Sequence, residues 1–386
     1  MSSTSNGGDT ITPPSSDEVY RELVGFFGAH AGKVLEIEIL PSGFPLPSGT
    51  TSPILQDGTN LGITKKALVQ AFLVARHMYF NNLKLNKSSE QEVEEAKVAS
   101  THIILLFDPE HLTAANLRKK SLLRLEASHY SGRPEKLTKA VKIELAFLET
   151  LQTSPLHRHT KSPTLWHHRR WLVQKYFNQV CQAHGIVWRE HRTFQEDFKL
   201  LWMSELEVIM RAGDRHPKNY YAWAYARRLL DFLAQKDLTA ASDTPLQSWA
   251  ACSARRMLDW CLGHPTDISG WSFLLYLLKK LPDGTALQTS IFEKAWDFRC
   301  RLSWDGEALW WFLRTVLAME GTMPAKARRE HVQVISERIE PQVQNQALDA
   351  ESGLECTVNQ KGTDVVKRAV HFCERYGRFM DGPIEA

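Results

Sequence analysis

A chain of 386 residues that is 43% hydrophobic and 24% charged has the composition of a folded globular protein, not of a disordered or fibrous one. Its 47 lysine and arginine residues exceed its 44 acidic residues by only three, so charge alone does not predict a nucleic-acid binder. The uncharged apolar runs are far shorter than the roughly 20 residues of a membrane span.

The six cysteines contain no CxxC pair, and the first residues lack the basic and apolar segments of a signal peptide. A disulfide framework is therefore not expected, and we predict a reduced, cytoplasmic location without a membrane span.

The N-terminal part divides into two segments by composition. Residues 1–18 are rich in serine, threonine, glycine and proline, and we predict that they are disordered. Residues 19–90 are predicted to form a small N-terminal extension. Its apolar stretch VLEIEIL is followed by PSGFPLPSGTTSP, which we expect to cross a surface as irregular chain, and helical spacing begins near Ile63.

Residues 91–338 show helical periodicity and an internal repeat that is anchored by a tryptophan. In two copies the tryptophan follows a His-Pro dipeptide at the same interval. In the first copy an alanine stands in place of the tryptophan. The fifth copy, DGEALWWFLR, is degenerate and offers either of two adjacent tryptophans. The anchors are Ala115, Trp166, Trp223, Trp271 and Trp310, in steps of 51, 57, 48 and 39 residues.

A preferred helix N-cap lies four residues before the anchor in three copies, at Ser162, Asn219 and Asp267. Pro163 follows the first of these caps at the first helical position, where a missing N–H is tolerated. Each repeat is thus predicted to be a helix, a tight turn and a capped helix. Because neither helix can bury its apolar face alone, stacking predicts an all-α fold, an α-α superhelix of about five helical hairpins.

The C-terminal part is predicted to hold two further segments. Residues 339–363 are polar and poor in large apolar groups, so they are predicted to be a linker. Residues 364–386 are predicted to form a short helix and tail, with the helix docked on the repeat array.

The stretch SPTLWHHRRWL invites a metal-site interpretation, because His167 and His168 lie near two further histidines. Adjacent helical residues point about 100° apart, however, and no HxxxH or HExxH pair is present. We therefore expect no metal ligand in this chain. The tryptophans are instead predicted to pack between successive hairpins, where burial of each contributes several kcal/mol.

Arg118 and Arg169 lie three residues after the anchors of the first and second copies. Such a guanidinium suits a bidentate pair with a carboxylate, either within the array or across a subunit interface, and an exposed helix face is the alternative. The residues assigned to repeat structure or to a partner interface are Arg118, Trp166, His167, His168, Arg169, Arg170, Trp223, Arg227, Trp271 and Trp310.

Lys161 and Lys218 each lie five residues before their tryptophan, immediately ahead of the N-cap. A cation at this place opposes the positive end of the helix dipole. The placement becomes favourable if the lysine and the helix N-terminus together hold an anion such as a diphosphate. A flexible, exposed lysine without a ligand is the alternative.

The aligned segments SPTLWHHRRWL and HPKNYYAWAYARRLL resemble the repeats of protein prenyltransferase alpha subunits, whose consensus centres on (N/H)-P-x-N-Y-x-x-W-x-x-R. The resemblance runs from roughly residue 90 to residue 320, and residues 35–80 further resemble the repeat-containing branch of that family. It implies a crescent of helical hairpins around a separate beta subunit. That subunit carries the zinc ion, the isoprenoid pocket and most of the chemistry, so no cofactor is expected on this chain.

The resemblance also implies roles for single residues. Lys161 matches the family lysine that approaches the prenyl diphosphate, which makes it the candidate catalytic residue. The chain departs from the family pattern at Pro163 and Tyr221, where a tyrosine and a histidine are usual, and at Ala226, which replaces an arginine. The candidate substrate-binding residues are Lys218, Asn219, Tyr220 and Tyr221.

The implied function is that of an alpha-type subunit, not catalytic alone, in a heterodimer with the beta subunit of the Rab-type geranylgeranyltransferase. The heterodimer would transfer geranylgeranyl to a protein cysteine, with a vesicle-fusion SNARE as one substrate class. One alternative is a helical-repeat scaffold without a role in prenyl transfer. A basic solenoid that grips nucleic acid is another, which the near-neutral charge disfavours.

Overall fold

The structure is a computed structural model, and it describes residues 14–41, 43–45, 52–80, 89–128, 134–186, 194–237, 244–282, 286–319, 323–334, 368, 371 and 372. The chain divides into two compact units, Met1–Tyr225 and Ala226–Ala386. The sequence predicted a single array over residues 91–338. The division between the two units falls within this range, in the continuous helix Tyr220–Asp237.

The elements of the first unit are, in chain order, α1 (Ser16–Ala29), β1 (Glu36–Leu40), β2 (Ile54–Asp57), β3 (Asn60–Thr64), α2 (Lys65–Phe80), α3 (Glu90–Phe107), α4 (Leu112–Ser128), α5 (Pro134–Gln152), α6 (His157–Thr160), α7 (Pro163–Lys175), α8 (Phe177–Ala183) and α9 (Phe194–Arg215). Helix α10 (Tyr220–Asp237) crosses the division. The second unit continues with α11 (Thr244–Gly263), α12 (Ile268–Leu278), α13 (Ala286–Leu302), α14 (Glu307–Ala318) and helical residues 325–334.

The all-α prediction is confirmed for most of the described chain, and the exception is a small sheet in the N-terminal extension. Its strand order is β1-β3-β2, with β3 parallel to β1 and antiparallel to β2. Ile37, Leu61 and Ile63 are buried on alternating positions of β1 and β3. The sequence analysis did not predict this sheet.

Helix α1 begins inside the segment that was predicted to be disordered. Ser15 caps it: the hydroxyl accepts the Glu18 amide, and the Glu18 carboxylate accepts the Ser15 amide at 2.7 Å. The prediction of disorder is therefore wrong for residues 16–18, because this capping box satisfies the first-turn amides. Residues 1–13 lie outside the described residues.

The predicted helix starts are confirmed. Ser162 Oγ accepts the Leu165 amide at 3.1 Å, and Pro163 is the first residue of α7. Asn219 Oδ1 accepts an amide of α10 at 3.2 Å, and Asp267 Oδ1 accepts two amides of α12. Each cap satisfies donors that a helix leaves unpaired at its first turn.

Helices pack pairwise along the chain, as hairpins require. Contacts join α3 with α4 and α5 with α7 in the first unit, and α11 with α12 and α13 with α14 in the second. The core of the first unit contains Trp202, Trp223 and Phe198, and that of the second contains Trp271 and Trp310.

The predicted linker, residues 339–363, lies outside the described residues. Of the predicted C-terminal helix, residues 368, 371 and 372 are described, and all three are helical. Arg368 donates to Glu307 of α14 at 2.9 Å, and the Arg314 guanidinium of the same helix lies 5.5 Å from the Phe372 ring centroid. These described residues therefore dock on α14.

Among the helices in the described ranges, none combines the length and the apolar character that crossing a membrane requires.

Candidate functional site

The anchor tryptophans are buried, and two of them tie a tight turn to the helix that follows it. Trp166 Nε1 donates to the Thr160 carbonyl at 2.8 Å, and Trp271 Nε1 donates to the Pro265 carbonyl at 3.1 Å. Both carbonyls belong to the residue six positions before the tryptophan. The prediction that the tryptophans are core residues is confirmed.

The tryptophans also pack against the next repeat. The Trp166 ring lies 5.4 Å from that of Tyr225, and the Trp271 ring lies 4.9 Å from that of Phe312. Tyr225 and Phe312 each follow the next anchor by two residues. The same aromatic contact thus joins successive hairpins in both units.

The N-cap residues have a second role that the sequence did not reveal. Ser162 Oγ donates to the Pro109 carbonyl at 3.2 Å, and Asn219 Nδ2 donates to the Thr160 carbonyl at 2.9 Å. Each cap therefore bonds to the turn of the preceding repeat at the corresponding position. This ladder of hydrogen bonds sets neighbouring helix N-termini side by side.

The arginines after the anchors form buried pairs within the chain. Arg118 binds Glu144 in bidentate fashion, with its shortest bond at 2.7 Å, and is 2% exposed. Arg169 binds Glu205 with bonds of 2.7 and 2.8 Å and is fully buried. The interface interpretation of these two arginines is therefore wrong, because neither guanidinium reaches a surface.

Each carboxylate joins two repeats. Glu144 receives Arg118 from the preceding repeat, and His168 of its own repeat lies 3.4 Å away. Glu205 receives Arg169 in the same way and accepts the Tyr225 hydroxyl at 2.6 Å. His168 and Tyr225 both lie two residues after an anchor, so the two glutamates contact residues at corresponding positions of their repeats.

Burial and charge together fix the protonation of this network. Burial would raise the pKa of both glutamates, but the paired arginines outweigh it and hold each pKa below its ordinary value. Burial lowers the pKa of His168 to about 3, so this histidine is neutral and does not form a charged pair. Burial and the neighbouring Glu205 raise the pKa of Tyr225.

The two candidate lysines precede adjacent helix starts. Lys161 is half-buried between α6 and the cap of α7, and Lys218 is exposed just ahead of α10. The backbone of Lys218 has a φ of 60°, a left-handed conformation that is uncommon for a side chain of this kind. Because Asn219 bonds to the Thr160 carbonyl, the first turns of α7 and α10 lie next to each other.

Further basic groups surround these helix starts. The rings of His157 and His216 lie 5.1 Å apart, and His216 donates to the Pro155 carbonyl at 3.0 Å. Burial lowers the pKa of His216, the hydrogen bond to the Pro155 carbonyl raises it, and the neighbouring Lys161 and Arg215 cations lower it. We call Lys161, Lys218 and Arg215 the cationic front.

The predicted substrate-binding residues separate into two kinds. Tyr220 and Tyr221 are 65% and 41% exposed, with ring centroids 5.5 Å apart, and lie beside the cationic front on the first turn of α10. Asn219 is fully buried, and its side-chain oxygen and nitrogen are both bonded within the chain. Its assignment to substrate binding is wrong, because no polar atom of its side chain is open to a substrate.

The remaining interface candidates differ in exposure. His167 is exposed and accepts from the half-buried Arg170 at 3.1 Å, whereas His168 is fully buried. In the second unit, Arg227 donates to Ser272 at 2.9 Å. Within the part of the chain that the structure describes, no three histidine, cysteine or acidic side chains are grouped to hold a metal ion.

Two stretches of the chain, residues 154–176 and 202–233, match the model of the protein prenyltransferase alpha subunit repeat. They contain both lysines of the cationic front, both caps beside them and the anchors of the second and third copies. These two stretches resemble the protein prenyltransferase alpha subunit repeat. The resemblance seen in the sequence is thereby confirmed, and the other three anchors lie outside the matched stretches.

The relatives that match the chain include proteins named for the same repeat. The chain is 30% identical over 250 residues to protein prenyltransferase alpha subunit repeat-containing protein 1 of Danio rerio, covering 64% of this chain and 51% of the relative. It is 27% identical over 263 residues to the protein of that name in Homo sapiens, covering 67% and 57%. The chain thus spans about half the length of these relatives.

A second group of relatives is named for an enzyme subunit. Geranylgeranyl transferase type-2 subunit alpha of Sus scrofa is 30% identical over 142 residues, which cover 36% of this chain and 20% of the relative. The chain is therefore similar to a prenyltransferase alpha subunit over about a third of its own length.

Proposed function

We propose that this chain is the alpha-type subunit of a heterodimeric protein prenyltransferase and that it is not catalytic alone. The observation that carries the proposal is the pair of adjacent helix starts, each preceded by a lysine, within the two stretches that match the family. The relatives named geranylgeranyl transferase type-2 subunit alpha favour geranylgeranyl as the transferred group.

The partner in this proposal is the beta subunit of the Rab-type geranylgeranyltransferase, which would hold zinc and the prenyl diphosphate. Zinc bound there would lower the pKa of the substrate thiol. In the transfer, the thiolate sulfur of a protein cysteine bonds to the first carbon of the geranylgeranyl group. The bond from that carbon to the diphosphate oxygen breaks, and diphosphate leaves with the electron pair.

In this reaction Lys161 would stabilise the negative charge that develops on the departing diphosphate. The ammonium group matters more than the amides of α7, because Pro163 has no N–H and Ser162 already binds the Leu165 amide. Lys218, with the exposed Tyr220 and Tyr221 beside it, would extend the same binding surface.

The cysteines within the described ranges, Cys181, Cys252, Cys261 and Cys300, are free thiols. This state fits a reducing compartment, and we place the complex in the cytoplasm.

Co-expression with the Rab-type beta subunit tests the proposal. We expect an equimolar complex on gel filtration and transfer of labelled geranylgeranyl to a cysteine-bearing protein, with SNARE proteins among the substrates assayed. The chain alone, as the control, should show no transfer. Separate elution without any transfer would contradict the proposal, and a complex without transfer would favour a scaffold.

A further inference from the structure

The outer face of helix α2 combines apolar and basic side chains that the proposed function does not use. The opposite face of this helix is buried at Ala67, Leu68, Ala71 and Ala75, and the helix contacts α1 and α3. Successive residues of an α-helix are about 100° apart, so the residues of the outer face lie within an arc of about 100°. We call them the α2 face: Lys65, Lys66, Val69, Leu73, Arg76 and Phe80.

An apolar stripe runs along the middle of the α2 face. Val69, Leu73 and Phe80 follow one another at spacings of four and seven residues, which places them within about 40° of each other. Leu73 is 57% exposed and Phe80 is 54% exposed. Leu112 at the start of α4 is 63% exposed and lies near this end of α2, because the Tyr79 hydroxyl donates to the carbonyl of the next residue of α4 at 3.2 Å. Clustered apolar side chains in water indicate an interaction site.

Cations border the stripe on both sides, and α2 contains no acidic residue. Lys65 and Arg76 lie at one edge of the stripe and Lys66 lies at the other. All three are exposed, and none of them forms an ion pair within the part of the chain that the structure describes. The Arg76 guanidinium lies 5.9 Å from the Phe80 ring centroid, beside the stripe. From residue 64 to residue 89 the sequence has five lysine and arginine residues and no aspartate or glutamate.

The first turn of α2 is basic although a helix favours acids there. Lys65 and Lys66 are its first two residues, and the turn contains no acid. Cations at a helix N-terminus oppose the positive end of the helix dipole, so these lysines do not stabilise the helix itself. Negative charges of a ligand over the α2 face would interact favourably with both the lysines and the dipole.

A carboxylate of the neighbouring helix α3 acts on another side of α2. Glu94 pairs with Arg124 of α4. Burial raises the pKa of Tyr79, and the negative charge of Glu94 raises it further, so this carboxylate lies near Tyr79. Tyr79 points about 100° away from Phe80 of the stripe. Glu92 accepts the amide at the N-cap of its own helix at 2.9 Å. Both acids are thus bonded outside the α2 face.

We propose that the α2 face docks the chain on an anionic phospholipid surface. Its apolar stripe would insert at the level of the headgroups, and Lys65, Lys66 and Arg76 would contact lipid phosphates. An apolar stripe with cations on either side is typical of helices that lie in the plane of a membrane interface. Nucleic acid would engage the cations and leave Leu73 and Phe80 in water, whereas a fluid bilayer accepts both without a matching pocket. The inference does not depend on the proposed function.

Co-sedimentation of the full chain with vesicles tests the inference. Vesicles of equal parts phosphatidylserine and phosphatidylcholine are compared with vesicles of phosphatidylcholine alone. We expect the wild type to bind the anionic vesicles at least about tenfold more tightly than the neutral ones. Binding to the anionic vesicles should weaken from low to physiological salt, because the contacts of the cations with lipid phosphates are screened.

Charge reversal tests the edges of the stripe. Lys66→Glu/Arg76→Glu should bind the anionic vesicles at least about tenfold more weakly than the wild type. The matched control, Lys139→Glu/Lys199→Glu, makes the same change in net charge at exposed positions of α5 and α9 and should lose less than about twofold.

Removal of the apolar side chains tests the stripe itself. Leu73→Ser/Phe80→Ser keeps every charge and should also bind at least about tenfold more weakly. The matched control, Leu200→Ser/Leu302→Ser, removes two exposed leucines of α9 and α13 and should bind as the wild type does. Because the side chains of both variants are exposed, circular dichroism and thermal unfolding should match the wild type, which separates lost binding from lost folding.

Several outcomes would overturn the inference. These are failure of the wild type to bind the anionic vesicles, and binding by either double variant of the α2 face that equals the wild type. Binding of duplex DNA or of polyglutamate by the wild type, lost in Lys66→Glu/Arg76→Glu while vesicles are not bound, would assign the face to nucleic acid or to an acidic protein instead. The test uses no beta subunit, so its result leaves the proposed function standing or falling by its own experiment.

Discussion

Three residues after the anchor, the first unit has the buried arginines Arg118 and Arg169, whereas the second unit has the apolar Ala226 and Leu274. The aromatic contact between successive hairpins is the same in both units. In the first unit a guanidinium reaches from one repeat to a carboxylate of the next, whereas the corresponding positions of the second unit hold apolar side chains.

The difference between arginine pairs and apolar side chains bears on the register of the repeats more than on their stability. Buried ion pairs can often be replaced by apolar groups of similar volume at little cost in stability, so the arginines are not needed to hold a hairpin stack together. We infer that the pairs fix the register of the first unit. That unit also carries the lysines before the anchors, whereas Thr266 stands at this place in the fourth copy. Fixed register sets the helix starts that follow Lys161 and Lys218 side by side.

Breaking a buried pair should have the largest effect. Glu205→Ala leaves the fully buried Arg169 without its bidentate partner, and we expect the free energy of unfolding to fall by about 3–5 kcal/mol. The double variant Arg169→Met/Glu205→Leu should recover most of this loss, because it resembles the apolar junctions of the second unit. Chemical denaturation followed by circular dichroism measures both.

The matched control for this variant is an exposed pair of the second unit, Arg301 with Asp297. Asp297→Ala should change the free energy of unfolding by less than about 1 kcal/mol. A loss of that small size in Glu205→Ala would show that the buried pair does not hold the first unit in register.

The pH dependence of stability should report on His168. Its pKa is about 3 in the folded chain against 6.5 ordinarily, because the ring is buried. Below pH 6.5 the unfolded chain binds a proton that the folded chain does not, so stability falls as the pH falls. We expect His168→Gln to reduce the loss between pH 7 and pH 5 by about 2 kcal/mol.

Denaturation curves of the two proteins at several pH values check this prediction, with the exposed His167→Gln as the control. If the wild type and His168→Gln lose stability equally as the pH falls, the pKa of His168 does not differ between the folded and the unfolded chain.

The two bonds of Asn219 can be separated by substitution. Asn219→Ala removes both the helix cap and the bond to Thr160, and we expect a loss of about 1–2 kcal/mol. Asn219→Asp keeps the acceptor for the cap but buries a carboxylate oxygen against the Thr160 carbonyl, so its loss should be larger. A smaller loss in Asn219→Asp than in Asn219→Ala would show that the bond between repeats contributes nothing measurable.

The smallest effect is expected at Lys218. Its left-handed backbone should be relieved in Lys218→Gly, and we expect the free energy of unfolding to rise by up to about 1 kcal/mol. Lys161→Gly, at a φ of −100°, is the control and should lower stability. Destabilisation by Lys218→Gly would indicate that the Lys218 side chain supports the turn.

Local patterns explain what the sequence could predict. Ser162 and Asp267 act on amides two or three residues away, and the tryptophans recur at intervals that mark one helix face, so caps, hairpins and core were all accessible. The resemblance to the repeat family followed from two short segments for the same reason.

Pairing between residues far apart in the chain explains what the sequence could not predict. Glu144 lies 22 residues before its anchor and Glu205 lies 18 before, so no fixed spacing marks the partners of the arginines. Strand β1 pairs with β3 across a stretch that contains β2, and nothing local specifies that order. The family resemblance assigned Asn219 to substrate binding, and no local pattern revealed its bond to Thr160, which lies 59 positions away.

Turnover by the heterodimer of the Lys161→Ala variant is the most direct test of the cationic front. If Lys161 stabilises the departing diphosphate, kcat should fall by about 100-fold, while the complex forms and elutes as with the wild type. Lys199→Ala, an exposed lysine of α9, should leave kcat unchanged. A kcat within twofold of the wild type for Lys161→Ala would contradict a role of this lysine in prenyl transfer.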